Sequence, residues 1–142
     1  MNFKSIIVSI ILLTSLPLSA FSTNANNPST FVMQLTRSAE NFGHRRALLQ
    51  LDKSLTDLGE ENIKVEVIAY EDGIYALLED NEQTSQLVKK LSNRGVTFKV
   101  CRLSMLSEGL VDDDYPLDVG FIQAGAPEVM RLQIAGYKYL RP

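Results

Sequence analysis

A single cysteine, Cys101, is the residue best suited to do chemistry in this sequence of 142 residues. It follows a short apolar segment, residues 96–100, that is typical of a buried strand. Open α/β sheets carry their binding and catalytic groups at the carboxyl ends of their strands. A thiolate at such an end could act as a nucleophile. The structural alternative is a packed and inert thiol, because cysteine is among the most buried residue types.

The neighbours of Cys101 along the chain favour a reactive thiol. Arg102 follows it and Lys99 lies two residues before it, and nearby positive charge stabilises a thiolate. A short helix is expected over residues 102–110, and its first free N–H groups would face the sulfur. The acidic pair at residues 71–72 would oppose thiolate formation if the fold brought it close.

Other constellations carry weaker signals. His44 is the only histidine, nothing places it near a nucleophile, and we expect it on the surface. With Arg45 and Arg46 it could hold an anion at a helix start, although the preceding turn lacks the glycines of a phosphate loop. The acidic residues 108–114 do not have the spacing of an EF-hand and indicate a solvated loop.

Composition excludes several classes of function. One histidine and one cysteine exclude His-rich or Cys-rich zinc sites, so we expect no metal and no cofactor. The net charge of −3, with no basic run, does not suit a nucleic-acid binder. In an exported chain a lone cysteine has no internal partner, so it is buried, paired between chains, or a working thiol.

Residues 1–25 have the organisation of a secretory signal peptide. One lysine precedes an uncharged apolar run over residues 5–18, and small or polar residues follow. The run is shorter than the roughly 20 residues that a membrane span needs, which favours a cleaved signal peptide. A retained membrane anchor is the alternative. We expect cleavage after Ala20, Ser22 or Ala25, and a periplasmic protein that is free of the membrane.

The remaining chain predicts one folded domain over residues 31–142, preceded by a disordered polar leader at residues 26–30. Strand and helix patterns alternate along this domain. Such alternation predicts a flavodoxin-like, three-layer α/β sandwich with a mainly parallel five-stranded sheet. The expected strands are residues 31–35, 63–70, 96–100, 117–122 and 137–140, and the helices are residues 45–58, 102–110, 126–135 and a segment capped by Asn81.

Several motifs together resemble the DsrE/DsrF-like (YchN-like) family of small sulfur-relay proteins. The resemblance is strongest from residue 63 onward, where a strand at residues 65–69 is followed by Gly73. The other matching features are Gly95-Val96-x-Phe98-x-x-Cys101, a short helix, Gly125 before a helix that carries Leu132-Gln133, Gly136-Tyr137-x-Tyr139, and Pro142.

The resemblance implies a DsrE-like subunit that assembles as a homo-oligomer, usually a trimer or hexamer. It also implies that Cys101 carries sulfane sulfur as a persulfide, received from or passed to a protein or a small sulfur compound. Two alternatives stay open: a non-catalytic binding or assembly module with a structural cysteine, and a thiol that pairs between chains. These residues do not decide whether the protein is an enzyme.

Overall fold

The computed structural model describes residues 27–142, so the predicted signal peptide lies outside the described residues. One sheet of five parallel strands forms the centre of the domain. The strands are β1 (Ser29–Leu35), β2 (Ile63–Ala69), β3 (Thr97–Cys101), β4 (Gly120–Ile122) and β5 (Lys138–Leu140). The sheet confirms the predicted mainly parallel α/β architecture.

Helices alternate with the strands as the sequence predicts. The helices are α1 (Gly43–Leu58), α2 (Ser85–Asn93), α3 (Arg102–Glu108) and α4 (Gly125–Ile134). Short 3-10 turns add to the connections at Glu40–Phe42, Glu71–Leu77 and Asp112–Asp114. The chain therefore runs β-α-β-α-β-α-β-α-β across the described residues.

The strand order across the sheet is β4-β3-β2-β1-β5. Flavodoxin itself has the order 2-1-3-4-5, so the two folds share layers and parallel strands but differ in connection. Here β2, β3 and β4 are added one after another on the same side of β1. The chain then returns across the sheet and places β5 on the other side of β1.

One face of the sheet is covered by α1 and α2, and we call it the α1 face. The inward residues of α1 recur every three or four positions, which is the spacing that places side chains on one side of a helix. Burying such an aliphatic side chain contributes about 1.5–3 kcal/mol. The buried α1 residues are Ala47, Leu48, Leu51 and Leu55, and Met105 of α3 joins the same core cluster.

The opposite face is covered by α4, and we call it the α4 face. Because α4 carries the chain back from β4 to β5, a right-handed crossover places it on this side. Its residue Val129 packs against Val32 of β1 and Ile68 of β2, with Tyr70 and Ile122 at the margin of the cluster. The domain thus has three layers, as the sequence predicts.

The boundaries of β1, β4 and β5 differ from the prediction. Ser29 and Thr30 belong to β1 and pair with Ile63 and Lys64, so the predicted disordered leader is wrong for these two residues. Their polar side chains do not indicate a strand, but pairing with β2 provides hydrogen-bond partners for their main-chain groups. The strands β4 and β5 are shorter than predicted, at three residues each.

Asn81 does not cap α2, which begins at Ser85. The Asn81 side chain instead accepts a hydrogen bond from the Gln83 N–H at 3.0 Å and donates to the Tyr75 carbonyl at 2.8 Å. It stabilises the turn before the helix. Asparagine favours both positions for the same reason, since its short side chain reaches nearby main-chain groups.

Candidate functional site

Cys101 is the last residue of β3, and it is 4% exposed. In the sheet it pairs with Ile122 at the end of β4. On the other side, Val100 pairs with Ala69, so the next residue, Tyr70, adjoins Cys101. The prediction that this cysteine closes a strand at the carboxyl edge of the sheet is confirmed.

This position coincides with a change in the direction of the connections. The helix that follows β3 packs on the α1 face, whereas the helix that follows β4 packs on the α4 face. Adjacent parallel strands whose connections diverge in this way open a crevice at their carboxyl ends, and open α/β proteins bind ligands there. Cys101 therefore lies at a topological switch point between β3 and β4.

The sulfur of Cys101 contacts the main chain across this switch point. Its Sγ atom lies 3.8 Å from the carbonyl oxygen of Gln123, in the loop that follows β4. The same oxygen accepts a hydrogen bond from the Leu103 N–H in the first turn of α3, at 3.3 Å. One N–H group that the sequence predicts to face the sulfur is thus bonded to a carbonyl. Only a protonated thiol can donate to that carbonyl.

Arg102 directs its charge to the acidic loop. Its guanidinium donates two hydrogen bonds to the Asp112 carboxylate, at 2.7 and 2.8 Å, and lies 4.7 Å above the Phe121 ring. This bidentate pair raises the pKa of Arg102 and lowers the pKa of Asp112. The expected effect of a free positive charge beside Cys101 is therefore reduced by its carboxylate partner.

Lys99 is also paired. Its Nζ lies 2.6 Å from a Glu66 carboxylate oxygen and 3.7 Å from a Glu128 oxygen. Glu66 accepts a further hydrogen bond from the Tyr137 hydroxyl at 2.9 Å, and this bond raises the pKa of Tyr137. Both cations that the sequence offers to Cys101 consequently have carboxylate partners from other elements.

The acidic pair at residues 71–72 does lie at this edge of the sheet. The Glu71 N–H donates to the Ser104 hydroxyl at 2.9 Å, which joins the turn after β2 to α3. Burial is the main cause of the raised pKa of Tyr70, and the charges of Glu71, Tyr139 and Cys101 raise it further. Glu71 thus lies near Tyr70, which adjoins Cys101 in the sheet.

His44 is buried, so its predicted surface position is wrong. Only 2% of the residue is exposed, and Nε2 lies 2.5 Å from the Arg37 carbonyl oxygen. The helix α1 begins at Gly43 and turns His44 toward the core, while Arg45 and Arg46 stay exposed. The imidazole therefore does not join the two arginines in an anion site.

The acidic loop is exposed at Asp112 and Asp113, as expected of a solvated loop. Asp112 is bonded to Arg102, and an Asp114 oxygen accepts the Val111 N–H at 2.8 Å. Within residues 27–142, no group of three or more His, Cys, Asp or Glu side chains is arranged to hold a metal ion.

A groove of about 300 Å³ opens on the α4 face beside Tyr70. Aromatic, amide and thioether side chains form its wall. The lining residues are Gln34, Tyr70, Ala126, Val129, Met130, Gln133 and Tyr139. The sequence interpretation did not single out Tyr70. The sequence nevertheless contained a feature that could have identified Tyr70. The apolar run of β2 ends at Tyr70, and the apolar run of the adjacent parallel strand β3 ends at Cys101.

The fold and the thiol at its switch point define a parallel α/β domain with one cysteine at the carboxyl edge of its sheet. The model of the DsrE/DsrF-like family matches residues 21–142, and the chain belongs to this family. Membership associates the chain with sulfur relay at the level of the family. A comparison with curated proteins finds no match.

Two solved structures show the same fold. A protein of unknown function from Methanobacterium thermoautotrophicum, MTH1491, is 25% identical with a TM-score of 0.73, over 80% of this chain and 99% of that one. The ychN protein from E. coli is 15% identical with a TM-score of 0.63, over 82% of this chain and 100% of that one. In the described part of the chain, every helix is too short or too polar to cross a membrane.

Proposed function

We propose that this protein is an exported sulfur carrier that holds sulfane sulfur as a persulfide on Cys101. The observation that supports the proposal is the position of the sole cysteine at the β3–β4 switch point in a chain of the DsrE/DsrF-like family. In open α/β proteins, ligands bind in the crevice outside the strand ends at such a switch point.

The transfer is balanced without a further oxidant or reductant. The Cys101 thiol loses its proton, and the thiolate attacks the outer sulfur of a hydropersulfide, R–S–SH. A bond forms between Sγ and that sulfur, the R–S bond to it breaks, and the leaving R–S⁻ takes up the proton. An acceptor thiolate later attacks the same outer sulfur and releases the Cys101 thiolate.

Intact-mass measurement tests the carrier role. Reduced protein is incubated with a sulfane-sulfur donor, and we expect a gain of about 32 Da per sulfur atom that reductant removes. The Cys101→Ser variant should gain nothing. Absence of the gain, or its survival in Cys101→Ser, would contradict the proposal.

The second candidate function is a non-catalytic binding or assembly module in which Cys101 is a packed structural residue. Its support is the 4% exposure of Cys101 and the contact of its sulfur with Gln123. In that case the native thiol would resist alkylation for hours and Cys101→Ala would cost stability. A thiol that pairs between chains would instead give a dimer band on a non-reducing gel.

Homo-oligomeric assembly, as a trimer or hexamer, is part of the proposal. Apolar side chains on the outer surfaces of α3 and α4 support it, notably Leu106 at 78% and Ile134 at 86% exposure. Exposed apolar side chains in neighbouring groups are typical of protein contacts. Light scattering after size exclusion tests the state, and a monomer at micromolar concentration would contradict it. Leu106→Lys and Ile134→Lys should each weaken the assembly.

Export to the periplasm rests on the signal-peptide pattern of residues 1–25. We expect the full chain, expressed in a Gram-negative host, to be recovered in the periplasmic fraction. Its amino terminus should begin after Ala20, Ser22 or Ala25. Recovery of uncleaved protein in the membrane fraction would favour a retained anchor instead.

A further inference from the structure

Tyr70 and Cys101 are neighbours at the carboxyl edge of the sheet. Ile68 pairs with Lys99 and Ala69 pairs with Val100, so continuing the same register places Tyr70 beside Cys101. Paired residues of parallel strands point to the same face, and side chains alternate along a strand. Tyr70 packs with the cluster on the α4 face, and Cys101 therefore points to that face as well.

The Tyr70 side chain also forms part of the groove wall on the α4 face. Among the residues that line this groove, Tyr70 is the one that adjoins Cys101 in the sheet. Cys101 itself is 4% exposed and is not among the described residues that line the groove. A molecule in the groove therefore meets the Tyr70 ring before it meets the sulfur.

Gly125 holds the ring in this position. A Cβ atom built on Gly125 would lie 2.4 Å from Cδ1, 2.5 Å from Cγ and 2.6 Å from Cβ of Tyr70. The ring thus packs directly on the main chain at the first residue of α4. The lack of a side chain at Gly125 is required by this contact, and its backbone φ is not in the left-handed region.

We propose that Tyr70 is the gate of Cys101 and determines which sulfur donors reach it. In the closed state its ring lies on Gly125 and covers the sulfur. Rotation of the ring away from Gly125 opens a path from the groove to Sγ. The inference rests on the proposed function, because it assigns the donor class for the same thiol.

The groove selects for small donors of low charge. Its volume of about 300 Å³ is at the lower limit for small-molecule sites. Its wall offers aromatic, amide and thioether groups, and none of the described lining residues carries a formal charge. Neutral hydropersulfides of low-mass thiols suit such a wall, whereas thiosulfate and protein-bound persulfides do not.

The gate is tested by alkylation of Cys101 without any sulfur donor. Rates are measured with iodoacetamide and with a maleimide attached to a large polymer. If the closed state holds nine-tenths or more of the population, Tyr70→Ala should raise the rate with the bulky reagent at least about tenfold. Tyr70→Phe retains the ring and should restore the slow rate.

A second variant keeps the test decisive if Tyr70→Ala does not fold. Gly125→Ala places a methyl group against the ring and should raise the alkylation rate in the same direction. Equal rates in wild type and a folded variant, at unchanged melting temperature, would overturn the gate. A general loosening of the domain would be seen as a lower melting temperature in Tyr70→Ala or Gly125→Ala than in Tyr70→Phe.

The donor class is tested separately by persulfide formation. We expect wild type to gain sulfur faster from the hydropersulfide of an uncharged thiol such as 2-mercaptoethanol than from thiosulfate, and Tyr70→Ala to lose part of this preference. If alkylation shows the gate but no donor gives a persulfide, the proposed function fails and the gate stands. If persulfide forms but alkylation does not depend on Tyr70, the gate fails and the carrier role stands.

Discussion

The Cys101 sulfur lies 3.8 Å from the Gln123 carbonyl oxygen, and this contact joins the ends of β3 and β4. The two residues come from elements whose following helices pack on opposite faces of the sheet. Only a protonated thiol can donate to this carbonyl oxygen. In the proposed sulfur transfer, the contact therefore breaks when the thiolate forms.

Substitution of Cys101 should distinguish the polar contact from simple packing. Cys101→Ser keeps a donor to Gln123, so we expect an unfolding free energy within about 1 kcal/mol of wild type. Cys101→Ala loses the donor and leaves a small cavity, and should cost about 1 kcal/mol more. Urea unfolding measures both. A serine variant less stable than the alanine variant would show that the site does not accommodate a hydroxyl donor.

The hydrogen bonds of Asp52 should make the free energy of unfolding fall at acid pH. Its carboxylate accepts hydrogen bonds from Lys90 at 2.7 Å and Arg94 at 2.5 Å, which connect α1 to the end of α2. The Lys90 bond, followed by Arg94, lowers the pKa of Asp52 below 3.8. Asp52→Asn should cost about 1–2 kcal/mol at neutral pH. Urea unfolding at a series of pH values provides the measurement.

The sign of the pH effect follows from the lowered pKa of Asp52. The stabilisation is present above the unfolded value of 3.8 and is lost as pH falls through the folded value. The difference between wild type and Asp52→Asn should therefore close below about pH 4. The matched control is Asp57→Asn, whose exposed pair with Lys53 should contribute less than about 0.5 kcal/mol. Equal losses in the two variants would contradict the prediction.

Tyr115→Phe should stabilise the protein. The Tyr115 side chain is buried, and its hydroxyl has no hydrogen-bond partner among the described residues. Burial is also the main reason why the pKa of Tyr115 is raised. Removing an unpaired buried hydroxyl should add about 1 kcal/mol, measured by thermal and urea unfolding. Loss of stability would reveal a partner such as a bound water.

The control variant for Tyr115→Phe is Tyr115→Leu, which removes the aromatic ring. Tyr115 and Phe121 form an edge-to-face pair with centroids 5.9 Å apart. Tyr115→Leu removes that pair as well as the hydroxyl, so it should be less stable than Tyr115→Phe by about 0.5–1.5 kcal/mol.

Gly73→Ala should destabilise the fold strongly. A Cβ at Gly73 would lie 1.8 Å from the Leu35 carbonyl oxygen, which belongs to β1 and cannot move without distorting the sheet. We expect a loss of about 3 kcal/mol or more, seen as a large fall in melting temperature. Gly95→Ala is the matched control, because open space surrounds it and only its φ of 87° is unfavourable. That variant should lose about 1–2 kcal/mol.

Much of the fold can be predicted from the sequence because its signals are local. The spacing of Leu48, Leu51 and Leu55 specifies the buried side of α1 without reference to any distant residue. The apolar run before Cys101 likewise specifies a strand and its end. The alternation of strands and helices then restricts the architecture to a mainly parallel sheet.

Local sequence patterns were insufficient where the burial of a residue, or its place in a strand, depends on strand register or on where an element begins. His44 is inside because α1 begins two residues earlier than its apolar pattern indicates. Ser29 and Thr30 are polar, yet they join the sheet because β2 offers partners to their main chain. Shifts of one or two residues in an element's start or register decide which side chains face the core.

The sequence by itself determined the α/β class, the family resemblance and the strand end that carries Cys101. Only the tertiary structure decided the surroundings of that thiol, because they come from separate elements. Asp112 and Glu66 pair with the cations next to Cys101, Gln123 contacts its sulfur, and strand register places Tyr70 beside it. Residues distant in sequence meet only through strand register and helix packing, and no local periodicity contains that information.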